Sequence, residues 1–391
     1  MTVIGIICEY NPLHNGHIYQ INRIKKQFPD AKIVALCSGS FVQRGEPSFI
    51  SKHFKSKMAV ENGIDLFLEM PISISIQSAN LFSFYSVKIL NNLNILDYLC
   101  FGVESLNEKD FYQYLKFEDE NRDSMNLLIK EYMNKGMSYK RSCDQAIKDL
   151  GFFNDNILLP NNTLAIQYCK ALKKLNSDIA IYPVDRSQIK YHGSNEVIGN
   201  IQSATTIRSL AYSSKDYANY IPYFLEANSE FINKHGIESL NSSFYYKSFV
   251  EEAPCKEIAG YEEGMLNLLK SNYMGRINTM IENSHNKRYS KARLQRFIIN
   301  YLLNITRGDI KDLDYINYIH PLAFNNEGRK LLNMVKDKSS LQIVYKPKDI
   351  VYLDEINKKI YNKDLEAFKL YNIENVRNNR LDYEWIPFID I

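Results

Sequence analysis

Two histidines near the start of the chain form the arrangement with the clearest chemical use. His14 and His17 belong to the tetrad His14-Asn15-Gly16-His17, which follows an apolar run and opens a predicted helix. Free backbone N–H groups at a helix start bind phosphate, and Gly16 allows the backbone to approach it closely. Imidazoles three residues apart share one face of the turn and can stabilise charge developing on an α-phosphate under attack. We therefore predict a nucleotide site with His14 and His17 as catalytic residues; surface or capping histidines are the alternative.

A second polar segment is predicted to lie at the same edge of the fold. Ser203 or Thr205 can cap a helix that begins after the fifth predicted strand, and Arg208 adds a cation with a planar donor fork. Together with the histidine tetrad, these three residues would hold the β- and γ-phosphates of a nucleoside triphosphate. Taken alone, the pattern is also common at ordinary helix starts.

Alternating apolar runs and helical patterns position both segments. Strands are predicted at residues 2–8, 32–37, 65–69, 98–103 and 179–184, with helices between them. This alternation favours right-handed crossovers and a five-stranded parallel sheet in an α/β fold.

The length of the chain predicts more than one domain. We assign residues 1–215 to the sheet domain, with a mostly helical insertion at about 106–150. Residues 216–391 are predicted to form a mainly α-helical domain that begins with a helix at 221–234. Short β segments are expected within it, near 341–345 and 350–353.

Composition limits the class of protein. With 45% hydrophobic and 24% charged residues, the chain is typical of a soluble globular protein. A net charge of +3 gives no global argument for nucleic-acid binding, so an acidic polymer would have to meet a local cluster of bases. The six cysteines form no C-x-x-C pair and show no zinc-like spacing, so no metal site is expected. No signal peptide or membrane span is expected either, and the predicted location is the cytoplasm.

Several motifs, in order along the chain, carry a family resemblance. Besides the tetrad and the segment 202–208, they lie at 9–12, 38–47, 65–71, 101–104, 160–162 and 287–293. In this combination the chain resembles the bacterial tRNA(Met) cytidine acetate ligase family of the nucleotidylyltransferase superfamily. The resemblance implies a Rossmann-like nucleotidylyltransferase fold of the HUP type.

The resemblance also implies where ATP binds. The implied contact residues are Ile7, Cys8, Glu9, Tyr10, Asn11, Pro12, Leu13, His14, Asn15, Gly16, His17, Ile18, Tyr19 and Gln20, together with Gly102, Asn161 and Arg186. From the sequence alone, Gly102 could instead make a tight turn, and Asn161 could be a helix cap. Arg186 could be a structural partner of Asp185. Tyr191 and His192 follow Arg186 and could line the site or be structural.

A basic segment is the best candidate for contact with RNA. Residues 283–308 carry six bases and no carboxylate, which favours phosphate contact over a merely solvated basic face. The bases predicted to contact the tRNA are Lys287, Arg288, Lys291, Arg293 and Arg296. A second, weaker cluster near the nucleotide site consists of Lys52, Lys55 and Lys57.

The loop 38–47 is a further candidate for substrate contact. It follows the carboxyl end of the second strand, so Gln43 and Arg44 could contact the adenylate or the target cytidine. Glycines at 39 and 45 suggest a mobile lid, and an ordinary exposed loop is the alternative.

The activity implied by the resemblance has two steps. ATP activates acetate to acetyl-adenylate with release of pyrophosphate; the acetyl group then passes to N4 of the wobble cytidine of elongator tRNA(Met), and AMP leaves. ATP is thus a substrate, with Mg²⁺ as its expected companion. Two alternatives stay open: a nucleotidylyltransferase that makes a small-molecule adenylate, and a non-catalytic RNA-binding protein. The sequence identifies no acetate pocket, general base or oligomeric state.

Overall fold

A single large sheet forms the centre of the molecule. The computed structural model describes residues 1–152, 154–186, 201–222, 232–233, 235–373 and 388–390. Its strands are β1 Val3–Cys8, β2 Lys32–Ser38, β3 Phe41–Val42, β4 Glu46–Pro47, β5 Leu66–Met70, β6 Tyr98–Val103, β7 Ala180–Asp185, β8 Tyr318–Ile319, β9 Pro321–Asn325, β10 Gln342–Ile343 and β11 Phe388–Asp390. Within these described residues, seven strands make one sheet in the order β11-β9-β5-β2-β1-β6-β7.

The five parallel strands predicted from the sequence are confirmed. β5, β2, β1, β6 and β7 pair in parallel, and each begins and ends within one residue of its predicted position. Their near-continuous apolar runs reflect burial on both faces of the sheet. Parallel pairing brings their carboxyl ends to one edge, which is where ligands bind in open sheets of this kind.

Helices cover both faces of the sheet. They are α1 Asn15–Gln27, α2 Lys52–Glu61, α3 Ile72–Ser75, α4 Ala79–Asn92, α5 Glu108–Glu120, α6 Arg122–Asn134, α7 Tyr139–Asp149, α8 Pro160–Lys174, α9 Ala204–Tyr212, α10 Asn241–Tyr245, α11 Met265–Ser271, α12 Ile277–Ser284, α13 Lys291–Leu302, α14 Arg307–Asp312, α15 Asn326–Lys338 and α16 Glu355–Tyr371. On one face, α1, α2 and α9 share a core with the alternate β2 residues Ile33 and Ala35. On the other face, α4 and α8 share a core with Val34 and Leu36. The predicted helical insertion is α5 to α7.

Two strands from late in the chain extend the sheet beyond the predicted five. β9 pairs antiparallel with β5, and β11 pairs in parallel with β9. A sequence of only five residues, Pro321–Asn325, is too short for its period to reveal a strand against a helical background. The division into two domains at residue 215 therefore stays a prediction. β9 and β11, which come after residue 215, belong to the same sheet as the five strands that come before it.

The described part of 216–391 is otherwise mainly helical, as predicted. The predicted burial of Leu294, Phe297, Tyr301 and Ile305 is confirmed, since these side chains lie in one core with α10 to α12. The β segment expected near 341–345 is β10, but the one expected at 350–353 is wrong, because Pro347–Tyr352 forms a 3-10 helix. The predicted helix at 221–234 lies largely outside the described residues, as do Tyr191 and His192.

Candidate active site

The first turn of α1 is organised by the histidine tetrad itself. His14 is the N-cap residue in an extended conformation, and its Nδ1 accepts a hydrogen bond from the Gly16 N–H at 3.1 Å. The His17 Nδ1 in turn accepts from the His14 N–H at 3.2 Å. Because each neutral imidazole carries one proton and Nδ1 is the acceptor, that proton resides on Nε2 in both residues. The capping box thus fixes both side chains as Nε2–H donors.

Both imidazoles are neutral at physiological pH. Their rings stack with centroids 3.8 Å apart; His14 is buried and His17 is half-buried. Burial, followed by the charge of Arg186, lowers the pKa of His14 to about 4. Burial, followed by His14 and Arg186, lowers the pKa of His17 well below its usual value. Neutral donors at a helix start suit an anion whose charge grows in a transition state.

A second group of predicted residues meets at the carboxyl ends of β6 and β7. A Cβ on Gly102 would lie 2.6 Å from the Arg186 Cδ, and Gly102 has no positive φ. This glycine therefore gives Arg186 room and does not make a tight turn. The Asn161 side chain donates to the Glu104 Oε1 at 2.6 Å, whereas α8 has no side-chain cap, so the alternative role of Asn161 as a cap is wrong. Glu104 was not foreseen, and it is the carboxylate that links these groups.

The start of α9 lies beside the start of α1. A Cβ on Gly16 would be 3.4 Å from the Ile201 side chain, just before α9. Ser203 caps α9, since its Oγ accepts from the Thr206 N–H at 3.1 Å, and Thr205 is exposed on the first turn. Arg208 donates to the Asn11 carbonyl oxygen at 2.8 Å and lies 3.4 Å from the Glu46 carboxylate. The two predicted phosphate-binding segments are therefore neighbours in space.

The loop 38–47 is a packed hairpin, so the expectation of a mobile lid is wrong. β3 and β4 pair antiparallel, and the Gln43 N–H donates to the Glu9 Oε1 at 2.5 Å. Gly45 has φ +80°, and a Cβ there would lie 2.3 Å from the Arg296 backbone nitrogen of α13. Arg44 is exposed at the turn. The glycine is needed for this close approach between hairpin and helix.

The weaker basic cluster predicted on α2 does not form a surface. Lys55 is fully buried and donates to three carbonyl oxygens, those of Glu9 at 2.9 Å, Ser38 at 2.8 Å and Gly39 at 3.3 Å. Lys52 is buried as well, 3.0 Å from the Glu69 carboxylate, whereas Lys57 is partly exposed and lies 3.8 Å from the Glu61 carboxylate. Lysines three residues apart on a helix share a face, and the face of Lys52 and Lys55 points inward. The sequence did offer one sign of this arrangement. Glu69 lies in the apolar run 65–71, and a carboxylate that is buried in such a run needs a buried cation as its partner.

The basic segment 283–308 is neutralised in part by acids from outside it. Arg288 and Arg293 both bind Glu262, and Lys291 lies 2.6 Å from Glu282. Arg296 is half-buried against the hairpin, with its Nη1 3.5 Å from the Gln43 carbonyl oxygen. The segment 283–308 has no carboxylate of its own, but in the folded protein Glu262 and Glu282 lie against its bases.

Two further properties bear on partners. The described residues hold no group of three or more His, Cys, Asp or Glu side chains that could bind a metal ion. Among those same residues, no helix has the length and apolar character needed to cross a bilayer.

Comparison with known proteins places this arrangement in a family. A sequence profile described as HIGH Nucleotidyl Transferase matches residues 1–384. A tRNA(Met) cytidine acetate ligase of Thermoanaerobacter sp. (strain X514) is 32% identical over 387 residues, which is 95% of each chain. The protein of that name from Clostridium kluyveri (strain ATCC 8527) is 33% identical over 415 residues, covering 100% of this chain and 99% of the relative.

Solved structures share the fold. Thermotoga maritima TmcAL bound with alpha-thio ATP superposes with a TM-score of 0.84 at 22% identity, covering 100% of this chain and 99% of that one. Its apo form gives a TM-score of 0.87 at the same identity and coverage. This chain belongs to the HIGH nucleotidyl transferase family, among the relatives that carry the name tRNA(Met) cytidine acetate ligase.

Proposed function

We propose that the protein is an ATP-dependent acetate ligase that forms N4-acetylcytidine at the wobble position of elongator tRNA(Met). The observation that carries this proposal is the capping box of α1, which holds two neutral imidazoles with their Nε2–H groups available at a phosphate-binding edge. Relatives of the same length and of that name support the choice of substrate. A tRNA substrate implies work in the cytoplasm.

In the first step, an acetate oxygen attacks the α-phosphorus of ATP. The bond to pyrophosphate breaks while the His14 and His17 Nε2–H groups donate to the α-phosphate oxygens. Ser203, Thr205 and Arg208, on the neighbouring helix start, hold the β- and γ-phosphates. The segment Ile7–Gln20 surrounds the phosphates.

The nucleoside end of ATP belongs at the other group of residues. Gly102, Asn161 and Arg186 meet beside β6 and β7, and Glu104 orients Asn161. Mg²⁺ is proposed as the companion of the triphosphate. Because the described residues offer no ligand cluster of their own, the phosphate oxygens would supply most of its ligands.

In the second step, the cytidine N4 amine attacks the acetyl carbonyl carbon. The new C–N bond replaces the carbonyl bond to the adenylate oxygen, and AMP leaves. We assign the mainly helical part 216–391 to tRNA binding, with Lys287, Arg288, Lys291, Arg293 and Arg296 at its edge. α13 packs on the hairpin that carries Gln43 and Arg44, so RNA held there would lie next to the adenylate site. Partial neutralisation by Glu262 and Glu282 suits moderate, salt-sensitive binding.

The test uses His17→Ala with His235→Ala as the matched control, since His235 is exposed and has no proposed role. Acetate-dependent ATP–pyrophosphate exchange measures the first step, and mass spectrometry of tRNA nucleosides measures N4-acetylcytidine. We expect both activities to be lost in His17→Ala and kept in the control. Exchange that depends on another small molecule in place of acetate, with no N4-acetylcytidine formed in tRNA, would favour the small-molecule adenylate enzyme. RNA binding without any exchange would favour the non-catalytic protein.

A further inference from the structure

Acetyl transfer to cytidine needs a group that takes up a proton. The lone pair of the exocyclic amine is delocalised into the ring, so this nitrogen is a weak nucleophile. It becomes an amide only if one of its protons leaves as the C–N bond forms, which is the task of a general base. This inference rests on the proposed function and concerns its second step.

The two histidines cannot serve as that base. The Nδ1 atoms of His14 and His17 already accept backbone N–H groups, and Nε2 of each carries the ring proton. Each side chain is therefore a donor with no accessible lone pair. The same capping box that suits them to a phosphate excludes them from accepting a proton.

Two nearby carboxylates are committed to other contacts. Glu46 lies 3.4 Å from Arg208, and its other oxygen accepts from the Gln295 side chain at 3.5 Å. Glu104 accepts from Asn161 at 2.6 Å on the β6 side, where the nucleoside is proposed to bind.

Glu9 differs from both. It follows β1 directly, it is half-buried, and its Oε1 accepts the Gln43 N–H. Its second oxygen has no hydrogen-bond partner among the described residues, so it can accept a proton from a ligand. Glu9 also belongs to the same loop as the histidines, within five residues of His14.

Glu9 lies among the groups that are proposed to hold the phosphates. Its backbone carbonyl oxygen accepts a hydrogen bond from Lys55 at 2.9 Å, and Arg208 donates to the carbonyl oxygen of Asn11, two residues further along the same loop, at 2.8 Å. An acetyl group joined to an α-phosphate between the histidines and Arg208 would therefore form beside the Glu9 carboxylate.

We propose that the Glu9 carboxylate accepts the proton that the cytidine amine loses during acetyl transfer. The amine nitrogen forms its bond to the carbonyl carbon, and the bond from that carbon to the phosphate oxygen breaks. AMP leaves with the electron pair, and the proton passes from nitrogen to Glu9 and then to water. Gln43 orients the carboxylate through its backbone N–H.

The surroundings of Glu9 set the direction of its pH dependence. The groups that face it are the Gln43 N–H and Arg44 of the hairpin, Lys55 of α2, Arg208 of α9 and Tyr168 of α8. Burial raises the pKa of Glu9, and the Gln43 N–H and the three cations offset only part of that rise. The unprotonated form is the base, so transfer slows as pH falls through this raised pKa.

The experiment separates the two steps in Glu9→Gln. Preformed enzyme-bound acetyl-adenylate is mixed with an unmodified elongator tRNA(Met) transcript, and N4-acetylcytidine is followed in a single turnover. We expect transfer to fall by about 100-fold or more, as is typical for loss of a general base, while acetate-dependent exchange falls less than about tenfold. Glu9→Asp, which keeps a carboxylate, should recover part of the transfer rate and keep an acid inflection in its pH profile, whereas Glu9→Gln should lack it.

The matched control is Glu327→Gln, a partly exposed carboxylate that pairs with Lys32 at 3.1 Å and has no proposed role in the site. It should leave both exchange and single-turnover transfer unchanged. Equal losses of exchange and transfer in Glu9→Gln, or an unchanged pH inflection, would overturn the role of Glu9. Binding of alpha-thio ATP by each variant verifies its fold. Failure of the wild-type protein to show acetate-dependent exchange would instead overturn the proposed function.

Discussion

The starts of α1 and α9, which are proposed to bind the triphosphate, differ in how far the protein itself fixes their side chains. At α1, His14 is buried, His17 is half-buried, and backbone N–H groups hold the Nδ1 atoms of both. At α9, Ser203 and Thr205 are exposed, and Arg208 is balanced by Glu46. The side proposed for the α-phosphate is therefore pre-organised with neutral donors, whereas the cation proposed for the β- and γ-phosphates is paired with a carboxylate of the protein.

Removing a histidine donor at the start of α1 should reduce activity the most. His14→Asn keeps an N-cap side chain but loses the Nε2–H donor, so we expect acetate-dependent exchange to fall about 10²- to 10³-fold with little change in the free energy of unfolding. His14→Ala should lose about 1 kcal/mol of stability as well. Thermal unfolding and exchange measured on both variants separate capping from chemistry. Normal exchange in His14→Asn would mean that His14 only caps the helix.

Removing the Arg208 side chain of α9 should reduce activity less than removing a histidine donor of α1. Arg208→Ala removes a charged donor to the phosphates, and we expect kcat/KM for ATP to fall about 10- to 100-fold, mostly through KM. Arg208→Lys keeps the charge without the planar fork, so its kcat/KM for ATP should lie between those of the wild type and Arg208→Ala. Steady-state exchange at varied ATP concentration measures this. A pure loss of kcat would place Arg208 at the reacting phosphorus instead.

Acid should lower the free energy of unfolding, because His14 and His17 at the start of α1 are neutral in the folded protein. The folded-state pKa of His14 is about 4, below its ordinary 6.5, so its contribution is complete above pH 6.5 and is lost as pH falls toward 4. At pH 5 this amounts to about 2 kcal/mol, and His17 adds to it in the same direction. Denaturant unfolding at pH 7 and pH 5 should show a smaller loss for His14→Asn than for wild type. Identical losses would contradict the buried neutral imidazole.

The smallest effect should come from removing Glu46, the carboxylate that pairs with Arg208 of α9. Glu46→Gln removes the carboxylate that competes with phosphate for Arg208, so we expect the KM for ATP to fall about two- to fivefold. Glu327→Gln, which removes a surface carboxylate paired with Lys32 at 3.1 Å, is the matched control and should leave KM unchanged. A rise in KM in Glu46→Gln would show that the pair positions Arg208 for binding.

Features that depend on neighbours in sequence were predictable. The histidine tetrad, the Ser203 cap and the five parallel strands are each encoded within a few residues, and the structure has them where the sequence puts them. The family resemblance added Gly102, Asn161 and Arg186, which do meet in space.

Features that depend on distant partners were not. Glu262 reaches Arg293 across 31 positions, and His320 reaches Glu69 across 251. Lys52 and Lys55 looked like surface bases because their acceptors lie 16 to 46 positions away in the sequence. β9 was missed because a strand of five residues is too short for its period to be recognised, and its partner β5 lies far upstream.

The late arrival of β9 has a consequence for synthesis. The β5 edge is complete by Met70, but the strand that covers it begins at Pro321, 251 residues later. At about 5–20 residues per second, the ribosome leaves that apolar edge without its partner for roughly 10–50 s. Such an edge is a template for pairing with other chains. During synthesis, the nascent protein therefore passes through a period in which the β5 edge of the sheet is open to pairing with another chain.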